Sequence, residues 1–190
     1  MKKLIFAAAA LLSFCCLLAP AQEKDAILSF LKDSPARKTD VKDNFTEVRT
    51  PAAKGAAKVN LDGTLLFKAA AASLEMKYSD GDYFFTDNVK MQKTHGNARQ
   101  VFDLGKNLMM RGLSHTLIYA FQGNLQALAQ EQDAVIEAVK DGKTYTVTLT
   151  AKKKTPKGLA KVVAVYRASD GAIISMRLDE CTGASTFYTL

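Results

Sequence analysis

The chain has no tryptophan, two histidines, four prolines and three cysteines in 190 residues. Cys15 and Cys16 sit side by side in an apolar leader, so Cys181 stands alone in the rest. One thiol closes no internal disulfide, and the fold must be held by packing. The few Cys and His do not cluster at ligand spacing, which excludes a Cys-rich or zinc-type metal site. Charge of one sign is also in short supply. Without Lys2 and Lys3, 24 Lys and Arg oppose 19 Asp and Glu, a net +5. That is too mild for a nucleic-acid binder, and it favours anionic membrane surfaces or acidic partners.

Long apolar runs are absent with one exception. Lys2 and Lys3 precede an apolar stretch from Leu4 to Leu18, then Ala19-Pro20-Ala21, then polar Gln22-Glu23-Lys24-Asp25. A basic start, an apolar run and an A-x-A site predict a secretory signal peptide over residues 1–21. The run is short for a membrane span, although an uncleaved anchor is the alternative. Phe14 before Cys15 argues against an acylation site, where small residues usually precede the Cys. Residues 22–190, 169 in number (190 less 21), suit a single monomeric domain with a real core.

Residues 23–33 carry Ala26, Ile27, Phe30 and Leu31 at helical spacing, and Ser34-Pro35 ends that helix. From Val41 the period becomes two. NFTEVRT and VNLDGTLLFK read as strands. LEMKY, the turn Ser79-Asp80-Gly81-Asp82 and YFF read as a hairpin with one greasy face. Residues 88–100 are polar, with one strand through Val89 and Met91 and then a loop. Leu104, Leu108, Met109, Leu113, Leu117, Ile118 and Phe121 predict an amphipathic helix. Gly123-Asn124 breaks it, and a shorter helix starts at Leu125 with Asn124 as N-cap. Asp141-Gly142, Ser169-Asp170-Gly171 and Cys181-Thr182-Gly183 then punctuate a β-meander. Short turns between strands mean antiparallel pairing. The fold class expected is α+β: a large curved antiparallel sheet with helices on its apolar face.

This order of elements resembles the periplasmic LolA-like lipoprotein carriers, and especially their divergent lipoprotein-chaperone-like branch. The resemblance rests on the signal peptide, a first helix, the Phe-led strand NFTEVRT and the Gly-led strand DGTLLFK. It continues through LEMKYSDGDYFFTDN, a helical insertion and the closing meander VVAVYRASDGAIISMRLDECTGASTFYTL. It implies an incomplete β-barrel with an α-helical lid over an apolar hollow. The hollow would take the acyl chains of outer-membrane lipoproteins and carry them from an inner-membrane lipoprotein-releasing transporter to an outer-membrane acceptor. No enzymatic activity and no cofactor are implied. The family's Arg-Pro step after the Gly-led strand, whose Arg latches the lid, is missing: Lys68-Ala69-Ala70-Ala71-Ala72 stands there. No latch residue is carried over.

A carrier needs apolar, adaptable walls, which Met suits. The alternation makes Leu65, Phe67, Leu74, Met76, Tyr78 and Phe85 candidates from the early sheet. Val163, Val165, Ile174, Met176 and Leu178 come from the late sheet. Leu108, Met109, Leu113, Leu117 and Phe121 come from the lid. The same alternation is also the mark of an ordinary core. Lys152, Lys153, Lys154, Lys157 and Lys161 form a basic cluster that suits an anionic headgroup surface or simply a solvated loop. Other readings stay open: a binder of another amphiphile such as a glycolipid or sterol-like ligand, a structural subunit, or an esterase built on Ser114 and His115.

Overall fold

The computed structural model describes residues 21–156 and 158–190. The signal peptide expected over residues 1–21, with Cys15 and Cys16, lies outside the described residues but for Ala21, and so does Lys157. Helix α1 covers residues 21–33 and buries Ile27, Leu28 and Leu31, with Phe30 packed edge-on against Tyr145 at 5.5 Å. A short 3-10 turn follows at Pro35–Arg37.

Eleven strands come next: β1 (Val41–Thr50), β2 (Val59–Lys68), β3 (Ser73–Tyr78), β4 (Tyr83–Thr86), β5 (Lys90–His95) and β6 (Ala98–Asp103). Helices α2 (Leu108–Phe121) and α3 (Leu125–Glu131) interrupt them. The rest are β7 (Ala134–Asp141), β8 (Thr144–Ala151), β9 (Leu159–Arg167), β10 (Ile173–Glu180) and β11 (Ser185–Thr189). They form one sheet in the order β6-β5-β4-β3-β2-β1-β11-β10-β9-β8-β7, every pair antiparallel. The expected α+β class is therefore the observed one.

The topology explains the lid. The unpaired edges are β6 and β7, and the chain runs from one to the other through α2 and α3. The sheet also curls. Lys93 on β5 and Glu180 on β10 are six strand steps apart, about 29 Å in a flat sheet at 4.8 Å per step. Yet both line one cavity.

Two sequence expectations shift. Residues 88–100 are not one strand and a loop: β5 and β6 make a full hairpin, with Met91 paired to Phe102. Polar side chains dominate it because it is the sheet edge, where one ladder side meets solvent. Helix α2 starts at Leu108, not near Leu104, because Asn107 caps it by accepting from the Met110 N–H at 3.1 Å. Leu104 is buried in the preceding turn, its N–H on the Val89 carbonyl at 3.0 Å.

The end of α2 is set by Gly123. The Gly123 N–H bonds the Ala120 carbonyl and the Asn124 N–H bonds the Tyr119 carbonyl, a Schellman closure with Gly123 at φ +62°. Asn124 precedes α3 as expected but makes no side-chain cap bond.

Candidate functional site

The inner face of the sheet follows from register. Leu65, Met76, Phe84 and Lys93 form one cross-strand row, and Phe67, Leu74, Thr86 and Met91 form the next. On the other half, Met176 pairs with Ala164 and Leu178 with Val162. Phe67 stacks on Phe121 of α2 at 5.0 Å, which identifies the face the lid covers. Leu65, Phe67, Leu74, Met76, Leu117, Phe121, Met176 and Leu178 are all at most 4% exposed. They belong to the continuous core and line neither described cavity.

Five predicted lining residues are placed otherwise. Phe85 lies on the outer face, since its neighbours Phe84 and Thr86 are the ones buried inward, and Lys90 stands over its ring at 5.5 Å. Val163 and Val165 pair with Arg177 and Ser175 on the outer face, while Val162, Ala164 and Tyr166 point inward. The run VVAV is apolar on both faces, and its phase is marked only by the flanking Lys161 and Arg167, which are exposed on the side of Val163 and Val165. Ile174 sits half-buried at a register shift between Ile173 and Ser175. Tyr78 faces inward but donates its hydroxyl to the buried Glu47 carboxylate at 2.7 Å, and it lines a second hollow of about 650 Å³ against β1–β3. Burial and the Glu47 charge push its pKa up.

The lid is tied down at its C-terminal end. Arg37 donates to the Leu31 carbonyl at 2.8 Å, and to the carbonyls of Phe121 and Gly171. It thus joins the end of α1, the end of α2 and the β9–β10 turn. Its guanidinium stacks over Tyr166 at 5.1 Å, and the Tyr166 hydroxyl donates to the Ala120 carbonyl at 2.9 Å. Burial lowers the Arg37 pKa and raises that of Tyr166. Midway along α2, Ser114 and Thr86 share a hydrogen bond of 2.6 Å with both residues buried. The Gln132 amide donates to the Gly112 carbonyl and the Thr116 hydroxyl, fastening α3 to α2.

The N-terminal turn of α2 is different. Leu108 and Met109 are 68% and 45% exposed. With Leu113 they overhang a cavity of about 920 Å³ whose floor is built by Leu149, Leu159 and Val162. Lys93, Gln132, Lys153, Thr155, Lys161, Glu180 and Thr182 supply its polar lining. This volume lies near the upper end for sites that hold a small molecule. The Lys93 side chain makes no hydrogen bond or ion pair among the described residues. Burial and the nearby Arg49 cation push its ammonium below the usual lysine pKa, with Glu47 and Glu180 acting the other way.

The remaining candidates separate. Ser114 Oγ is engaged by Thr86 and the Asp87 carbonyl, whereas His115 Nδ1 meets the Glu131 carboxylate at 2.7 Å. Neighbours on a helix point apart, and here each has found a different partner. Cys181 is a half-buried free thiol at the β10–β11 turn. Of the basic cluster, Lys152 pairs with Asp133 at 2.8 Å, while Lys153 and Lys161 stand at the cavity. Among the described residues, no three His, Cys, Asp or Glu are grouped to hold a metal, and no helix is long and apolar enough to cross a membrane.

Sequence reasoning placed the helix break at Gly123 but missed Arg37 and Lys93. Arg37 and Lys93 carry no sequence signal, because the groups that define their roles come from other elements.

No protein-family model matches the chain, and no curated protein matches it in sequence. Solved structures do. A LolA superfamily protein from Nitrosomonas europaea is 9% identical, covering 87% of this chain and 90% of its own, at a TM-score of 0.40. The lipoprotein LppX of Mycobacterium tuberculosis is 14% identical, covering 87% of this chain and 93% of its own, at a TM-score of 0.41. LprF of Mycobacterium bovis is also 14% identical, covering 87% and 91%, at a TM-score of 0.35.

Proposed function

We propose that this protein is a cell-envelope carrier that shelters the acyl chains of a cargo in the cavity beneath the first turn of α2. The observation that carries this reading is the cavity itself: about 920 Å³ with a largely apolar lining under the exposed first turn of α2. Sheltering each methylene removes about 0.8 kcal/mol of unfavourable exposure, so even one long chain cannot cross water unaided at a useful rate. Leu108 and Met109 form an adaptable rim, and no deep polar anchor besides Lys93 would hold the chain against release.

In a first reading the cargo is a lipoprotein destined for the outer membrane, received from an inner-membrane transporter and delivered to an acceptor across the periplasm. The basic lip of Lys153, Lys154 and Lys161 beside the cavity docks on anionic headgroups while the chain is handed over, at about 1 kcal/mol per lysine near the bilayer. A second reading is a carrier of a free amphiphile. The confined size of the cavity favours it, because a triply acylated cargo would outgrow one small-molecule-sized hollow. Native mass spectrometry of the protein purified from its own envelope separates the two. Acylated polypeptide supports the first reading and free lipid the second. Protein that neither carries nor takes up any lipid ends both.

A further inference from the structure

One side chain in the cavity is out of place for a plain acyl pocket. In the row Leu65, Met76, Phe84, Lys93, three apolar residues point inward and the fourth is a lysine. An apolar residue at 93 would complete the row. Lys93 is half-buried and lines the cavity. Some cations elsewhere are paired, Arg49 with Glu47, Lys77 with Glu75 and Lys152 with Asp133. Lys93 has no such partner among the described residues. Glu180 lines the same cavity, but its carboxylate accepts from the Thr182 hydroxyl at 3.0 Å and does not pair with Lys93. Lys153 and Lys161 add two more cations to the lining against that one carboxylate. A partly desolvated ammonium with no direct ion-pair partner, only the more distant carboxylates of Glu47 and Glu180, is a cost to the empty protein, and an anion supplied by a ligand reduces it.

We infer that the cavity selects a chain ending in an anionic oxygen head, a carboxylate or a phosphate ester, which Lys93 binds inside the cavity while the hydrocarbon lies along Leu113, Leu149 and Val162. This rests on the cavity being the acyl-chain site. It adds the chemistry of the head, and it favours a free anionic amphiphile over a lipoprotein, whose acylated end has no such group. Lys153 and Lys161 draw the head in, and Lys93 receives it.

The test is displacement of a neutral naphthylamine dye from the whole mature chain by myristate, by monotetradecyl phosphate and by tetradecanol. The three share one chain and differ in the head. Myristate or the phosphate should bind at least about tenfold tighter than the alcohol, as expected for a hydrogen bond to a charged group away from bulk water. Whichever anion wins identifies the head. In Lys93→Met the ratio of anion to alcohol should fall to about one, with a thermal midpoint equal to or above that of the wild type. Equal binding of all three by the wild type overturns the head-group inference and leaves the acyl site standing. A preference that survives Lys93→Met overturns the role of Lys93. Failure of all three to bind overturns the inference together with the carrier reading.

Discussion

Arg37 serves three carbonyls, and two of its partners, Phe121 and Gly171, are 84 and 134 residues away in sequence. Removing its side chain leaves those carbonyls without their charged donor in a half-buried site. Arg37→Ala should cost about 3 kcal/mol, read as a lowered urea midpoint with an unchanged slope. Arg37→Lys should recover only a small part, because an ammonium cannot serve three diverging acceptors as a planar fork does. The glycines make the companion case. A Cβ at Gly63 would lie 2.1 Å from the Lys77 carbonyl oxygen, and one at Gly123 would lie 2.4 Å from that of Leu31, with φ already at +62°. Both obstacles are backbone and cannot step aside. Gly63→Ala and Gly123→Ala should each lose about 3 kcal/mol on the same measurement. The helix break at Gly123 was legible in the sequence, but neither close approach was, since each is made between distant segments.

Helix α2 has two ends with different duties. Its C-terminal half is core: Phe121→Ala should cost about 3–5 kcal/mol of stability, because it empties the stack on Phe67. Its first turn is exposed. Replacing Leu108 and Met109 together by Ser should change stability by only about 0.5 kcal/mol while weakening acyl-chain binding several-fold. Dye displacement and a denaturation curve on the same variant check both halves of that statement. Equal losses in the two measurements would place Leu108 and Met109 in the core instead. The hairpins of the meander were legible because Asp-Gly and Ser-Asp-Gly turns fix strand ends. The face of β9 was misread from the apolar run 162–165, although Lys161 and Arg167 at its ends share the outward side with Val163 and Val165. The edge hairpin β5–β6 was hidden for the opposite reason: it has too few apolar residues to show a period.

Over the whole molecule, the lid is the connection between the two free edges of an unclosed sheet. It is anchored at the Arg37 end and overhangs the cavity at the other. Backbone amides in the first turn of α2 should therefore exchange with solvent faster than those near Phe121, and a bound acyl chain should slow the first group selectively. A ligand that fills the cavity of the folded chain alone also stabilises it by mass action. At a hundred times its Kd the gain should be about 2.7 kcal/mol, seen as a concentration-dependent rise in thermal midpoint. No rise with any acyl chain would mean the cavity is not a lipid site.

The sequence by itself determined what local chemistry can determine. Period-two alternation, Asp-Gly turns and helix-spaced apolar residues set the class, the element order and the antiparallel pairing, because each depends on neighbours a few residues apart. Tertiary structure decided where space was left. Apolar patterning marks residues that leave water, but it does not tell whether a side chain or an empty volume waits on the other side. Curling the sheet filled the region between Phe67 and Phe121 and left the hollow under Leu108 and Met109. That difference arises from how far apart two packed layers come to rest, a distance that no single segment encodes.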